Sequence, residues 1–325
     1  MTPPPDLAEL ARISAELGSD PMYIQGPGGN TSIKDGDVMW IKASGTNLAD
    51  ALRRDIFVPC DLPAMRDSVA RGELRADQPQ EFALQNGGLR PSIETSLHAV
   101  FPQRVVVHVH SVHTLVFAVQ SDPVAAIGSR LDGFDWGIVP YAKPGAQLAA
   151  QVMDVVRQGA NVIVLSNHGL IVAADTVAEA DLLVRQVHDA LKIDPISAEN
   201  VGQSDLAEGW VAAPNSLSAV ALDQQLTAMA TGGSLYPDHV IFCGIGAEAH
   251  SLPLPTGETP PFYIIPGIGA AMRTDASAGA WSLAQCLGDV LTRMPKDAKL
   301  AYLTLAENAE LLNWDAEKYR QALNA

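Results

Sequence analysis

Cysteine is scarce in this chain of 325 residues: Cys60, Cys243 and Cys286 lie far apart and form no CxxC pair. A disulfide scaffold and a zinc ribbon are therefore excluded. Positive charge is also sparse. The 21 Lys and Arg face 37 Asp and Glu, for a formal net charge of −16. Nucleic acid and anionic membranes call for basic patches, so neither is an expected partner. No run of about 20 apolar residues occurs, so no membrane-spanning helix is expected. The opening stretch MTPPPDLAELARISAEL has neither a basic segment nor an apolar one, and so does not read as a secretory signal. These absences favour a reducing cytoplasm. Charged residues make up only 18% of the chain, but 47% are hydrophobic, which excludes a disordered polymer.

What is present reads as strands interleaved with helices, an α/β or α+β class. The spacing of Leu7, Leu10, Ile13 and Leu17 predicts a helix over Asp6–Leu17, ended by Gly18. Thr31–Ile33 and Val38–Lys42 predict a hairpin around the turn Lys34-Asp35-Gly36-Asp37. Ile93–Phe101 predicts a helix with Ser92 as its N-cap, and Val105–His110 a buried strand. A helix over Leu148–Arg157, strands over Val162–Leu165 and Gly169–Val172, and an amphipathic helix over Val177–Leu191 follow. Residues 1–194 thus form one expected domain. The polar stretch 195–216, broken by Pro195, Gly202, Gly209 and Pro214, reads as a linker. Residues 217–325 read as a smaller α/β extension. Its expected elements are helices at Ala219–Ala230, Ala278–Arg293 and Trp314–Leu323 and strands at His239–Phe242 and Phe262–Ile265. No internal repeat is evident.

The sharpest local feature is Val105-Val106-Val107-His108-Val109-His110. Residues two apart on a strand share a face, so His108 and His110 project together. Two neutral imidazoles side by side in an apolar core each need a partner, and a divalent ion supplies one for both. Two separately hydrogen-bonded core histidines are the alternative. His168, in Ser166-Asn167-His168-Gly169 after an apolar strand, is the candidate third ligand, because catalytic zinc keeps three protein ligands and one open position. His113 follows His110 by three residues and points elsewhere on a continuing strand. His98, His188, His239 and His250 read as ordinary satisfied or solvated histidines. Glu94 falls in the first turn of a predicted helix, where the macrodipole favours an anion, and one helix away from the histidine strand.

The loop Gly26-Pro27-Gly28-Gly29-Asn30-Thr31-Ser32 has neither P-loop nor dinucleotide-binding spacing. Consecutive glycines can still turn backbone N–H groups toward an anion, and Asn30 adds an amide. A second turn, Lys42-Ala43-Ser44-Gly45-Thr46, offers an ammonium, a hydroxyl and an amide. Together they suit a phosphate or a carboxylate; two ordinary tight turns are the alternative.

In order and spacing, GGN–TS, KASGT, PSIET–LH, VVHVHS and NHGLIV resemble the class II aldolase/adducin family over about residues 6–192. The resemblance implies a three-layer α/β/α fold around a largely antiparallel central sheet. It implies zinc, or another divalent metal, on His108, His110 and His168, and an acid/base at Glu94. Phosphate contacts fall on Gly29, Asn30, Ser44, Gly45 and Ser92. The implied activity is reversible aldol cleavage of a ketose, as a ketose 1-phosphate, through a zinc-stabilised enediolate. Decarboxylation, epimerisation and dehydration of related sugar phosphates share that chemistry. A homotetramer acting on a small sugar or sugar phosphate is the implied assembly. An adducin-like interaction module is the non-enzymatic alternative, one expected to lose the metal histidines and carry a basic tail. Three departures stand out. Ile93 occupies a position that is often Ser in family aldolases. Lys42 and Ser44 stand where fuculose-phosphate aldolases carry Thr, so Lys42 is a further candidate for the anion. Pro123-Val124-Ala125-Ala126-Ile127 lacks the tyrosine those aldolases lend to a neighbouring subunit, and Tyr141 has no assigned role.

Overall fold

A computed structural model describes residues 2–85, 88–196, 206–257 and 259–323. The chain divides into two compact units, Met1–Thr114 with Ile127–Leu191, and Leu115–Ala126 with Lys192–Ala325. Residues 197–205 of the expected linker, Gly202 among them, lie outside the described residues.

The first unit is built on seven strands: β1 (Asn30–Asp35), β2 (Val38–Lys42), β3 (Phe57–Asp61), β4 (Val105–Val109), β5 (Trp136–Val139), β6 (Val162–Leu165) and β7 (Gly169–Ala174). Their spatial order is β3-β2-β1-β4-β7-β6-β5. Every neighbouring pair is antiparallel except β5 and β6. The β1–β2 hairpin turns through Gly36, whose φ of 56° is the left-handed conformation a two-residue turn needs.

Helices cover both faces of this sheet. On one face lie Leu62–Ala70, Thr95–Ala99 and Ala146–Val156; Leu7–Gly18 and Val177–Ala190 pack against β1, β4 and β7 from the other. Val106, Ile163, Leu165, Ile171 and Ala173 meet Leu97, Leu148 and Val152 in one core. Met39, Ile41, Val58 and Cys60 meet Leu62, Met65 and Val69 in a second. The Val177–Ala190 helix starts where the sequence predicts it, because Thr176 and Glu179 close a reciprocal capping box.

The second unit holds a sheet of β8 (Trp210–Ala212), β9 (Phe262–Ile265) and β10 (Gly269–Arg273), in the order β8-β10-β9. Its helices beyond residue 192 are Asn215–Val220, Gln224–Thr231, Pro237–Cys243, Ala278–Leu291, Leu305–Asn313 and Asp315–Ala322. Three expectations change here. The end of the expected linker is ordered structure: 210–212 form β8, paired to β10, and residues 215–216 open a helix. Residues 239–242 are not a strand but part of the helix Pro237–Cys243. Proline at its first position presets the helical φ, and a short apolar run reads equally well as strand or buried helix. The continuous helix over Ala219–Ala230 is two helices, because Asp223 breaks the run. Its carboxylate accepts from the N–H groups of Gln225 (2.8 Å) and Leu226 (3.2 Å), which starts a new helix.

Among the described residues no helix is long and apolar enough to cross a membrane. In the second unit, Gly288 lets the Ala278–Leu291 helix approach the start of Asn215–Val220: a Cβ there would lie 2.2 Å from the Leu217 nitrogen. The obstacle is backbone and cannot rotate away. Gly288→Ala is expected to destabilise the protein by about 1–3 kcal/mol despite alanine's higher helix propensity. A urea or thermal melt showing equal or greater stability would contradict this packing.

Candidate metal centre

The site forms at one end of the seven-stranded sheet. The antiparallel order brings together the start of β1, the ends of β2 and β4, and the turn that precedes β7. Asn30 opens β1 directly opposite His108. His108 lies on β4 and His110 one residue past its end, on the same face as Val106. His168 closes the three-residue turn between β6 and β7, where its N–H donates to the Leu165 carbonyl (3.1 Å). Asn167 takes the left-handed conformation of that turn (φ 55°). Gly169 follows because a Cβ there would meet the Val109 carbonyl oxygen at 2.5 Å.

His108, His110 and His168 are buried, with one ligand nitrogen or its equivalent from each lying within 4.8 Å of the others. The His108 and His110 Nε2 atoms are 3.1 Å apart. Two nitrogens bound tetrahedrally at about 2.0–2.1 Å from one ion sit about 3.3 Å apart, so this spacing matches a shared ligand sphere. The Leu170 carbonyl lies 3.0 Å from His108 Nδ1. That contact places the proton on Nδ1 and leaves the Nε2 lone pair facing its neighbours. The residues therefore fit a divalent ion.

Glu94 faces the same space. Its Oε2 is 3.5 Å from His108 Nε2 and its Oε1 is 3.4 Å from His168 Nε2. Oε2 accepts from Asn30 Nδ2 (2.7 Å), whereas buried Oε1 accepts no hydrogen bond among the described residues. Burial pushes the carboxyl's pKa up. When His108, then His168 and His110, carry positive charge, their attraction and the Asn30 hydrogen bond outweigh burial and hold it down at about 2. Its contribution to stability is thus present above the ordinary carboxylate range and is lost as the pH falls toward 2.

Glu94 does not lie inside a helix, contrary to the sequence reading. The helix is only Thr95–Ala99, and Ser92 does not cap it. The Ala43–Pro91 bridge and the bond from Ser92 N–H to the Lys42 carbonyl (3.0 Å) tie this segment to β2, which delays the helix. Ser92 Oγ instead accepts from Asn30 Nδ2 and from the Glu94 N–H, both at 3.2 Å.

The glycine-rich loop reaches the site through Lys42. This lysine is 2% exposed, and its Nζ donates to the carbonyls of Pro27 (2.9 Å) and Gly29 (3.0 Å). Gly29 (φ 60°) sits so close to β4 that a Cβ would lie 2.8 Å from the His108 carbonyl oxygen. Ser44 is buried, with its N–H on the Arg90 carbonyl (2.8 Å), and Gly45 has φ 74°. Gln25, given no role from sequence, donates to the His110 carbonyl at 3.3 Å. Backbone partners such as Leu170 leave no side-chain signature to read.

The other histidines have partners. His98 meets Ser32 (2.7 Å), and burial, then the nearby His108 charge, keeps its pKa well below the usual value. His188 meets Ser111 (2.9 Å) and stacks on Tyr23, with His113 beside it. His239 meets the Gly246 carbonyl (2.9 Å), and His250 the Ser251 carbonyl (2.5 Å). Tyr141 is half-buried in the loop after β5.

Residues 8–194 match the Class II Aldolase and Adducin N-terminal domain. This chain belongs to the class II aldolase and adducin family. Of solved structures, the N-terminal class II aldolase domain of a conserved Thermoplasma acidophilum protein is similar, with a TM-score of 0.52 and 28% identity over 59% of this chain and 94% of that one. The L-fuculose phosphate aldolase of Methanococcus maripaludis is 24% identical over 59% of this chain and 97% of its own length. A Bacillus subtilis protein, "Uncharacterized oxidoreductase YuxG", is 28% identical over 53% of this chain, which spans 27% of that protein's length. All three similarities extend over little more than half of the chain.

As isolated, the protein is expected to hold about one divalent ion per chain. His108→Ala or His110→Ala should abolish this binding. Elemental analysis that finds full occupancy in either variant would overturn the ligand assignment.

Proposed function

We propose that the chain is a zinc-dependent aldehyde-lyase that reversibly cleaves a ketose, as a ketose 1-phosphate, with Glu94 as acid/base. The carrying observation is the Glu94 carboxylate held 3.4–3.5 Å from two imidazole nitrogens of a three-histidine cluster. Bound there, a divalent ion supplies Lewis acidity that offsets the negative charge developing on substrate oxygens. His108, His110 and His168 would hold it and leave one position open for the substrate.

The protein's own groups do the rest. In the condensation direction Glu94 takes the proton beside the substrate carbonyl, and in cleavage it returns one. Its Oε2 is oriented by Asn30, so Oε1 is the oxygen available to the proton. A carboxylate that is ionised at neutral pH is a base without a prior deprotonation step. Lys42 holds two carbonyls of the glycine loop inward. Gly29, Asn30, Ser44, Gly45 and Ser92 form the proposed seat for the substrate's anion, which orients the reacting carbon. A cytoplasmic homotetramer completes the proposal. Retention of the three histidines and Glu94 argues against an adducin-like module.

Glu94→Gln preserves shape and removes the base. It is expected to keep the ion and lower turnover by about 10²–10⁴-fold. Exchange of the substrate α-proton with deuterated solvent tests the role directly: exchange at the wild-type rate in this variant would exclude Glu94 as the base. A screen of ketose phosphates and 3-oxo acid phosphates, with separate detection of dihydroxyacetone phosphate and CO2, separates aldolase from decarboxylase. Release of CO2 without an aldehyde would sink the aldolase reading.

A further inference from the structure

Two stretches of the chain, 105–190 and 210–291, share one topology. In the first, β4 is followed by three short helical segments, Val112–Ala118, Pro123–Ile127 and Gly128–Leu131, and then by β5, β6, β7 and the helix Val177–Ala190. In the second, β8 is followed by Asn215–Val220, Gln224–Thr231 and Pro237–Cys243, then by a bridge at Ala249, β9, β10 and the helix Ala278–Leu291. The pairings also agree. β7 lies antiparallel between β4 and β6, and β10 antiparallel between β8 and β9. β5 runs parallel to β6, and Ala249 pairs in parallel with Ile264 of β9.

The agreement extends to single residues. Leu165 pairs with Gly169 and Ile265 with Gly269, each across a three-residue turn. His168 N–H donates to the Leu165 carbonyl at 3.1 Å, and Ile268 N–H to the Ile265 carbonyl at 2.9 Å. Asn167 (φ 55°) and Gly267 (φ 75°) take the same left-handed place. Thr176 and Ser277 cap the following helices in the same way, each accepting from the N–H three residues on. Each helix has 14 residues. The helix Ala146–Val156 has no counterpart, since no helix lies between Ala249 and β9 among the described residues. Chance recurrence of a hairpin and helix does not account for matching turn conformation, register, parallel neighbour and cap together.

Register then identifies the positions equivalent to the ligands. His108 pairs with Ile171, two residues past Gly169, and Ala212 pairs with Ala271, two residues past Gly269. Ala212 therefore stands for His108, Pro214 for His110 and Ile268 for His168. We infer that the stretch 210–291 is a duplicate of the metal-bearing half from which the metal site has been erased by those three residues. Among the described residues His108, His110 and His168 form the one cluster able to hold an ion, and the stretch 210–291 retains the backbone for another. This rests on the reading of the three histidines as ligands. No repeat is evident in the sequence, where between 162–173 and 262–273 the only identity is Gly169 with Gly269.

The test is to restore the site in the full chain. His108→Ala and His110→Ala remove the native centre, and Ala212→His, Pro214→His and Ile268→His are added to that background. Zinc content by elemental analysis is expected to rise from near zero to about one ion per chain, and cobalt should give the visible absorption of a tetrahedral site. A grafted variant that melts like its parent and binds no ion overturns the inference. So does an ion in the wild-type protein that survives the His108→Ala, His110→Ala change at a site among residues 210–291. Should the graft unfold, an experimental structure of the wild type decides. The inference stands if 210–212, 262–273 and 278–291 superpose together on 106–108, 162–173 and 177–190, and falls if they do not. If the native double variant keeps its ion on the first unit, the ligand reading of the native centre fails instead.

Discussion

Three imidazoles and a carboxylate occupy one buried space, and the charge balance among them governs the rest of this site. Glu94 is buried, and burial alone would drive it toward the neutral acid. Positive charge on the facing nitrogens keeps it ionised, whether a proton or a divalent ion carries that charge. Removing the carboxylate leaves the cation in low dielectric, and removing the cation leaves the carboxylate there. Each half makes the other tolerable.

Such a balance needs a rigid frame, and the frame here is mostly backbone. His108 is oriented by a carbonyl of β7, His110 by its place just beyond β4, and His168 by a turn that Asn167 and Gly169 make possible. Asn30, one strand away, ties Glu94 to Ser92. Lys42 tethers the glycine loop from the next strand. Because β1, β2, β4 and β7 alternate in direction, residues distant in the chain reach the same sheet end. The net negative charge of the chain makes the local concentration of cationic groups at this end more notable.

The second unit shows what the same backbone does without ligands. Its hairpin keeps the turn conformation of the first, with Pro266 and Gly267 in place of Ser166 and Asn167. Proline followed by glycine is the pair that makes such a turn from conformational preference alone. The turn in the first unit uses Asn167 instead and presents a histidine beside it.

The HxH alternation and the glycine loop were legible in the linear chain because each depends on local geometry: a strand's period of two, a turn with positive φ. The Gly after His168 could be read only as a turn residue, since the Val109 carbonyl that excludes a Cβ there comes from β4. The order of five short motifs carried the family. The position of Glu94 outside its helix was not legible, since a β bridge at Pro91 on a neighbouring strand sets it. Nor was the helix at Pro237–Cys243, whose apolar run suits a buried strand equally well. The repeat was hidden for the same reason. Strand pairing and register depend on backbone hydrogen bonds that any apolar residue can make, so two stretches sharing almost no residues can fold alike. Side chains with their own local chemistry announce themselves in sequence, whereas pairings between distant backbone segments exist only once the chain has closed on itself.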